Sequence, residues 1–433
     1  MANPEAQKIL ENLSTLLSDA SYGSSSKNQQ EAVRLSKALT AAIEAPENVA
    51  MELAFSVRLA LPGRCQAGGM RGMCDASLII LNEIKTFIPM SARIAVDLNL
   101  FEHIVKYEPV NVVKLAELSG AEELLLKRIL RPLSSTNFVK EVAEETWGAT
   151  PVTKAMTQKG IAAGHRMLFA TSMLAALHAP RYFLETSHTS PTNPHDGLMQ
   201  YAHGTKLQSF DYFCTMPGNV IGDFNTFMGN TMGARKYWLD WWPVEERFFE
   251  GMKVGNEEEN TLLVDVGGGK GHDVMAFKQR FGGRGKGLGR LILQDQPHVL
   301  EEIGKGELGE GIEKCGYDFF TEQPVKNSRI YFYHHILHDW SDYKCLEILR
   351  VLKSAMKPNY SKLIIHEMIV PESGASTYHA LLDLTMMAFN SGIERTGKEW
   401  RELLAKAGFE VMGIWVPGDE PDADGIIEAI VRE

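Results

Sequence analysis

The sequence predicts an α/β protein in which a doubly wound, Rossmann-like sheet follows an N-terminal helical domain. From residue 261 onward, strand-like apolar runs alternate with helical segments, which is typical of a mostly parallel sheet with helices on both faces. A glycine-rich turn after the first run indicates a ligand-binding loop. Before residue 150, a helix–turn–helix–hairpin pattern indicates a winged helix. We expect two domains, 1–160 and 161–433, the second beginning with a helical region over 161–255.

Composition limits the function classes. The chain has 433 residues, of which 44% are hydrophobic and 23% charged, enough for two cores. A net charge of -11 disfavours nonspecific binding to nucleic acid or an anionic membrane. We find no uncharged apolar run of about 18 residues and no secretory signal after Met1. The five cysteines are scattered, without a C-x-x-C pair, so we expect reduced thiols and a cytoplasmic protein.

The N-terminal elements begin with two amphipathic helices. Apolar residues recur at helical spacing over 6–19 and 30–45, and their faces need a partner such as a second subunit. The glycine-rich segment 57–89 lacks this periodicity. It is either a surface excursion or translated intronic sequence.

A winged helix is predicted next. The spacing predicts one helix over 91–105, then helices over 112–118 and 122–133, and strands over 138–142 and 146–149. A winged helix often binds DNA, and its second helix offers three basic side chains. Neighbouring acidic residues and the acidic chain oppose that function. We therefore favour a structural module that dimerises.

The C-terminal half supplies the sheet. Strands are predicted over 262–266, 290–294, 329–333, 362–366, 411–416 and 425–432, with helices such as 344–356 and 398–407 between them. The region 160–250 is rich in methionine and aromatic residues. These side chains suit either a core or an aromatic-binding pocket, and the spacing favours the core.

The glycine loop has a spacing that selects its ligand class. Gly267, Gly269 and Gly271 form G-x-G-x-G directly after the acid Asp265. A dinucleotide fingerprint needs a glycine where this chain has His272, which disfavours a nicotinamide dehydrogenase. A glycine-rich turn without a ligand is the plainer alternative.

Acids at the ends of the following strands suit a nucleoside. Asp295 ends the second strand, where a carboxylate accepts two hydrogen bonds from a ribose diol. Asp318 and Phe319 offer an acid and a ring face for an adenine. A cap or turn is an equally good explanation for Asp318.

Three histidines follow the next strand. A metal site at His334, His335 and His338 is one interpretation. However, neighbours on a strand point to opposite faces, and no further ligand lies at a familiar spacing. His338 as a general base is the sharper hypothesis. Glu367 and Glu394, from later strand ends, then hold its imidazole in one orientation, although singly such acids are usually solvated or salt-bridged.

These motifs together resemble the fungal and plant class I O-methyltransferases that use S-adenosylmethionine (SAM). The blocks that carry the resemblance are Val264–His272, Leu293–Val299, Ile336–Asp342 and Asp383–Thr396, with Tyr201–Thr205 and Trp238–Arg247 similar to the fungal branch. The resemblance implies a homodimer, and methyl transfer to a phenolic or enolic hydroxyl of a small secondary metabolite.

The resemblance also implies roles for individual residues. His338 is the base, flanked by Glu367 and Glu394. The remaining assignments form two sets. The cofactor-binding set is Asp265, Gly267, Gly269, Asp295, Asp318, Phe319 and His334; the acceptor-binding set is Met228, His335, Met386, Met387 and Asn390.

Two departures and two alternatives accompany the resemblance. Plant relatives have lysine and tryptophan where this chain has His334 and His335, so we expect pH-dependent cofactor anchoring and a more polar pocket. Methyl transfer from a sulfonium needs no metal, so no catalytic metal is expected. The alternatives are a pericyclase or other non-methylating enzyme that retains SAM, and a winged-helix regulator that senses SAM.

Overall fold

The computed structural model describes two compact units of the chain, residues 1–169 and 170–433. The described residues are 4–18, 26–43, 46–47, 49, 85–229, 237–252, 260–418 and 422–433. All but the last five residues of the atypical segment 57–89 lie outside them. Within the described part, no helix combines the length and the apolar character needed to cross a bilayer.

The first unit is mainly helical. Its helices are α1 (Pro4–Leu17), α2 (Ser26–Ile43), α3 (Phe87–Asp97), α4 (Leu100–Tyr107), α5 (Val112–Ser119), α6 (Glu123–Ser135) and α7 (Pro151–Met156). Its strands are β1 (Val110–Asn111), β2 (Val139–Ala143) and β3 (Thr146–Ala149). The strands form an antiparallel sheet in the order β1-β3-β2. The predicted helix–turn–helix followed by a hairpin is thus present.

One helix prediction in this unit is wrong. The periodicity over 91–105 predicts a single helix, but the chain breaks between α3 and α4. Asn99 has φ 51°, in the left-handed region that asparagine tolerates better than most residues. The apolar spacing continues across the break because both helices bury their apolar faces in the same unit, as Ala95 and Phe101 show.

The second unit begins within helix α8 (Lys159–Glu185), because the boundary at residues 169 and 170 falls inside that helix. Its helices are α9 (Leu198–His203), α10 (Ser209–Thr215), α11 (Val220–Met228), α12 (Trp238–Trp241), α13 (His272–Phe281), α14 (Pro297–Glu301), α15 (Asp342–Ala355), α16 (Thr377–Asn390) and α17 (Gly397–Ala407). A π-helical turn, Glu245–Phe249, precedes the sheet. The tryptophan and phenylalanine side chains Trp238, Trp242 and Phe248 are buried, which confirms the core interpretation for them.

A seven-stranded sheet forms the centre of the second unit. Its strands are β4 (Thr261–Val266), β5 (Arg290–Asp295), β6 (Ile312–Gly316), β7 (Ile330–His334), β8 (Lys362–Glu367), β11 (Glu410–Trp415) and β12 (Gly425–Ile430), and a separate parallel pair is β9 (Ile369–Val370) with β10 (Arg395–Thr396). The spatial order is β11-β12-β8-β7-β4-β5-β6; β12 runs antiparallel to β11 and β8, and the other pairs are parallel. The predicted doubly wound α/β sheet is confirmed.

The strand order fixes where a ligand binds. From β4 the chain moves outward through β5 to β6, then returns to β7 on the other side of β4. Ligands of open parallel sheets bind outside the carboxyl ends of the strands at such a reversal. Both faces of the sheet are covered, because alternate side chains of β7 enter different cores. The crevice beyond β4 and β7 is therefore the place to look for a site.

Candidate active site

The glycine loop turns sharply at the carboxyl end of β4. Gly267 has φ +71° and Gly269 has φ +57°, a conformation that side chains disfavour. A Cβ on Gly267 would lie 2.5 Å from Ile336 Cδ1 and 3.9 Å from the ring of Phe319. The loop, Phe319 and the segment after β7 therefore meet at one point, as the sequence predicted.

Asp295 is tied to the glycine loop. Its Oδ2 accepts a 2.8 Å hydrogen bond from the Gly269 amide, and its Oδ1 accepts one from Gln296. Burial raises the pKa of Asp295, although these amides oppose the rise. Asp265 is fully buried at the end of β4, where its Oδ2 accepts from the Val274 amide at the start of α13. Burial and the nearby Asp273 raise the pKa of Asp265 well above its ordinary value.

Asp318 has the geometry of a turn residue, which was the expected alternative to adenine binding. Its Oδ1 accepts a 3.0 Å hydrogen bond from the Phe320 amide. This bond leaves the other oxygen of the carboxylate for a further partner, so the turn role and a ligand role are compatible. The neighbouring Phe319 ring packs edge-on against Trp340.

The proposed base lies in a short 3₁₀ turn after β7. Glu367, at the end of β8, is fully buried and its Oε1 accepts hydrogen bonds from three successive amides, those of Ile336 (3.0 Å), Leu337 (2.8 Å) and His338 (3.3 Å). Its other oxygen lies 3.6 Å from His338 Nδ1. Glu367 thus fixes the backbone that carries the imidazole.

A second carboxylate fixes the ring itself. Glu394 Oε1 lies 2.7 Å from His338 Nδ1, and both side chains are buried. Burial lowers the pKa of His338, but Glu367, Glu394 and Asp339 outweigh it and hold that pKa well above its ordinary value. Burial also raises the pKa of Asp339, to about 7. The three predicted catalytic residues converge, and a proton on Nδ1 leaves Nε2 as the accepting nitrogen.

Four of the five predicted acceptor-binding residues lie on two helices that share an aromatic cluster. Phe213 of α10 contacts Phe224 of α11 and Phe389 of α16. Met228 is one turn beyond Phe224 on α11, while Met386, Met387 and Asn390 lie on α16. Asn390 has a structural contact as well, because its Oδ1 accepts a 2.8 Å hydrogen bond from the Ser209 amide. The fifth predicted residue, His335, lies beside the base, with ring centroids 5.0 Å apart.

The expectation that His334 and His335 point to opposite faces is wrong. His335 has φ 52°, so it leaves the strand geometry and its ring lies 4.4 Å from that of His334. A further histidine is also nearby, because the register of β7 and β8 places His366 opposite His334. The two rings lie 4.1 Å apart.

Asp273 is a site residue that the sequence analysis missed. It lies in the first turn of α13, and its carboxylate accepts from Trp238 Nε1 and Tyr237 Oη and lies 2.7 Å from His334 Nδ1. Burial raises its pKa, but His334 and Tyr237 outweigh that effect and lower it. The available signal was the acid two residues after the glycine loop, where a helix N-terminus favours negative charge. Its partners come from distant segments and gave no local signal.

Comparison with known proteins agrees with this geometry. A family model described as an O-methyltransferase domain matches residues 252–410, and one described as an O-methyltransferase dimerisation domain matches residues 85–159. The O-methyltransferase penC of Penicillium thymicola is 45% identical over 403 residues, which cover 93% of this chain and 91% of that protein.

Two further proteins are similar to this chain in sequence or structure. The O-methyltransferase asqD of Emericella nidulans is 46% identical over 346 residues, 80% of this chain and 87% of that protein. The solved structure of LepI in complex with SAM has a TM-score of 0.74 and 25% sequence identity, covering 98% of this chain and all of that one.

Proposed function

Because this chain belongs to the O-methyltransferase family, we propose that His338 removes the proton from an acceptor hydroxyl during methyl transfer. The chain is a SAM-dependent O-methyltransferase, related to enzymes of fungal secondary metabolism. The observation that best supports this role of His338 is the 2.7 Å contact between its Nδ1 and Glu394 Oε1. That contact directs Nε2 away from the carboxylate, as the base of a catalytic triad requires.

The residues around the glycine loop suit SAM. Gly267 provides a backbone turn that a Cβ would obstruct, and Asp295 and Asp318 offer carboxylate oxygens for ribose and adenine. Asp265 and Gly269 shape the loop, and Phe319 offers a ring face. When bound, SAM supplies an electrophilic methyl group on a sulfonium.

The chain's own residues then supply position and proton transfer. With SAM held by the glycine loop, Asp295 and Asp318, the cofactor would supply the methyl group, and His338 Nε2 would accept the hydroxyl proton of the acceptor. Glu394 and Glu367 stabilise the resulting imidazolium, which is the charged form that their negative charge favours. General base catalysis of this kind contributes roughly 10²–10⁴-fold. Alignment of the reacting atoms supplies much of the remaining rate acceleration.

We further propose a small hydroxylated secondary metabolite as the acceptor, with a phenolic or enolic hydroxyl. Met228, Met386 and Met387 offer adaptable apolar surface, while His335 and Asn390 offer polar groups. His335 beside the base makes this pocket more polar than one with a tryptophan there.

The first unit is proposed to be a winged-helix dimerisation module. Support comes from the order α5, α6, β2, β3 and from exposed leucines on the N-terminal helix, such as Leu10 and Leu17, which are half exposed. Covering such apolar side chains with a second subunit lowers the free energy of the assembly.

The activity is tested with methyl-deuterated SAM. Purified protein is incubated with this cofactor and an extract of hydroxylated metabolites, and products are analysed by mass spectrometry. We expect a product with a three-deuterium mass shift and one S-adenosylhomocysteine per product. Conversion of a metabolite without label, despite bound SAM, would instead support a non-methylating enzyme of the same fold.

A further inference from the structure

A buried cluster of histidine and aspartate lies on one face of the sheet at the ends of three adjacent strands. His334 ends β7, His366 lies opposite it in β8, and Asp424 directly precedes β12, which pairs with β8. The side chains of His334 and Asp424 are 14% and 1% exposed, and His366 is buried. The strands hold these three groups together although they are up to 90 positions apart in the sequence.

Two imidazole nitrogens in this cluster have no hydrogen-bond partner among the described residues. His334 Nε2 and His366 Nδ1 are both buried without one in the described part of the chain. A buried polar atom without a partner costs free energy, so it calls for an explanation such as an ion. One nitrogen of each histidine and one Asp424 oxygen lie within 4.8 Å of one another. Nitrogen and oxygen ligands of one tetrahedral zinc ion lie about 3.3–3.6 Å apart, so side-chain rotations that shorten these separations by up to roughly 1.5 Å complete the set.

The surroundings match those of metal-binding histidines. A ligating histidine usually gives its other ring N–H to a carboxylate, which fixes the tautomer and the ring. Asp273 has that relation to His334, at 2.7 Å from Nδ1, which leaves the Nε2 lone pair for an ion. The Asp424 carboxylate lies 3.2 Å from His335 Nε2, which orients it in the same way.

We propose that His334 Nε2, His366 Nδ1 and the Asp424 carboxylate bind one divalent transition-metal ion, with Zn²⁺ the first candidate. Two imidazoles and a carboxylate form a ligand set that suits zinc and its first-row neighbours. The ion joins the ends of β7, β8 and β12. It is separate from the proposed reaction, since neither His338 nor Glu394 binds it. It also assigns His334 to the metal rather than to the cofactor, which is the role that the family resemblance implied.

A second group of potential ligands provides a built-in control. His338, Glu367 and Glu394 also lie within 4.8 Å of one another, but there Nδ1 already contacts Glu394. Zn²⁺ is titrated into chelator-treated, tag-free protein in competition with a chromophoric chelator. The variants are His366→Gln, Asp424→Asn and the control Glu394→Gln.

We expect one Zn²⁺ per chain. Loss of a group that only orients a ligand weakens metal affinity by roughly 10–100-fold, so loss of a ligand in His366→Gln or Asp424→Asn exceeds about 100-fold. Glu394→Gln keeps the wild-type affinity. The proposal is overturned if the wild-type chain binds no Zn²⁺, or if Glu394→Gln loses the ion and His366→Gln retains it.

A measurement without variants removes any dependence on their folding. Crystals of the wild-type protein are soaked in Zn²⁺ and diffraction is collected at the zinc absorption edge. We expect an anomalous peak between His334 Nε2 and His366 Nδ1. A peak only elsewhere, or none, rejects the site. Neither measurement uses methyl transfer, so failure here leaves the proposed function standing.

Discussion

The pKa of a single imidazole sets the pH range in which the proposed base works. His338 must be neutral to accept a proton, yet its carboxylate neighbours hold its pKa well above the ordinary value against the effect of burial. The acidic limb of the kcat/KM profile therefore lies above about pH 6.5, the ordinary imidazole value. Stability changes in the opposite direction: a group whose pKa is raised by folding contributes stability below its unfolded pKa, and this contribution is lost as pH rises through the folded pKa.

Glu394→Gln tests this electrostatic account. The change removes one negative charge 2.7 Å from His338 Nδ1, so the pKa of His338 falls and the acidic limb of kcat/KM moves to lower pH. The maximal rate also falls, since the imidazolium loses its partner. The pH profile of the variant is compared with that of Glu402→Gln, an exposed glutamate on α17. An acidic limb at the wild-type position would rule out the role of Glu394.

A second single-residue prediction concerns the contribution of the glycine loop to SAM affinity. Gly267→Ala places a Cβ 2.5 Å from Ile336 Cδ1 in a left-handed conformation, so we expect SAM affinity to fall at least about tenfold, or 1.4 kcal/mol. Gly374→Ala is the matched control, since Gly374 has φ +74° and its Cβ would meet nothing within 4 Å. Calorimetric SAM titration of both variants measures the difference. Equal affinities would show that the loop does not contact the cofactor.

Among the secondary-structure elements, the 3₁₀ turn that carries His338 is held in place by a buried arginine. Arg395 is 1% exposed, and its guanidinium donates to the carbonyls of Leu337 and Trp340 at 3.2 and 2.9 Å. It also pairs with Asp342, the first residue of α15. The 3₁₀ turn, α15 and β10 are thereby held together by one side chain.

Arg395→Lys tests this connection. Lysine keeps the charge but not the planar fork, so the free energy of unfolding falls by roughly 2–4 kcal/mol and turnover falls while the His338 side chain is unchanged. Denaturant unfolding and initial rates measure the two effects. Arg432→Lys, in an exposed pair with Glu410, is the control and leaves both nearly unchanged. Wild-type turnover in a folded Arg395→Lys protein would contradict the proposal.

Which elements can be predicted depends on where their side chains lie. Five of the six strands predicted for the central sheet are apolar runs that become buried, such as Leu262–Val266, whereas the sixth, 411–416, lies at a sheet edge and stays partly exposed. Strand β6 was missed because Ile312–Gly316 lies at the other edge and contains two adjacent charged, exposed residues, Glu313 and Lys314. The proposed catalytic residues His338, Glu367 and Glu394 were predicted from motifs, whereas the cluster of His334, His366 and Asp424 depends on strand pairing. No local pattern in the sequence encodes that pairing.

At the scale of the whole molecule, dimerisation is the property still to be measured. Leu10 and Leu17 lie seven positions apart on α1, hence on one face, and both are half exposed. We expect the double variant Leu10→Glu, Leu17→Glu to sediment as a monomer where the wild type sediments as a dimer. Val416→Glu, an exposed position after β11, is the control and stays dimeric. A double variant that remains dimeric would place the interface elsewhere.

The role of His338 as the base is tested by comparing wild type with His338→Ala, using the acceptor identified by deuterium labelling. Single-turnover methyl transfer and the SAM dissociation constant are measured on the same preparations. We expect the rate of transfer to fall roughly 10²–10⁴-fold, because the proton has no acceptor, while SAM affinity is unchanged. A variant that transfers the methyl group at the wild-type rate would contradict the assignment of His338 as the base.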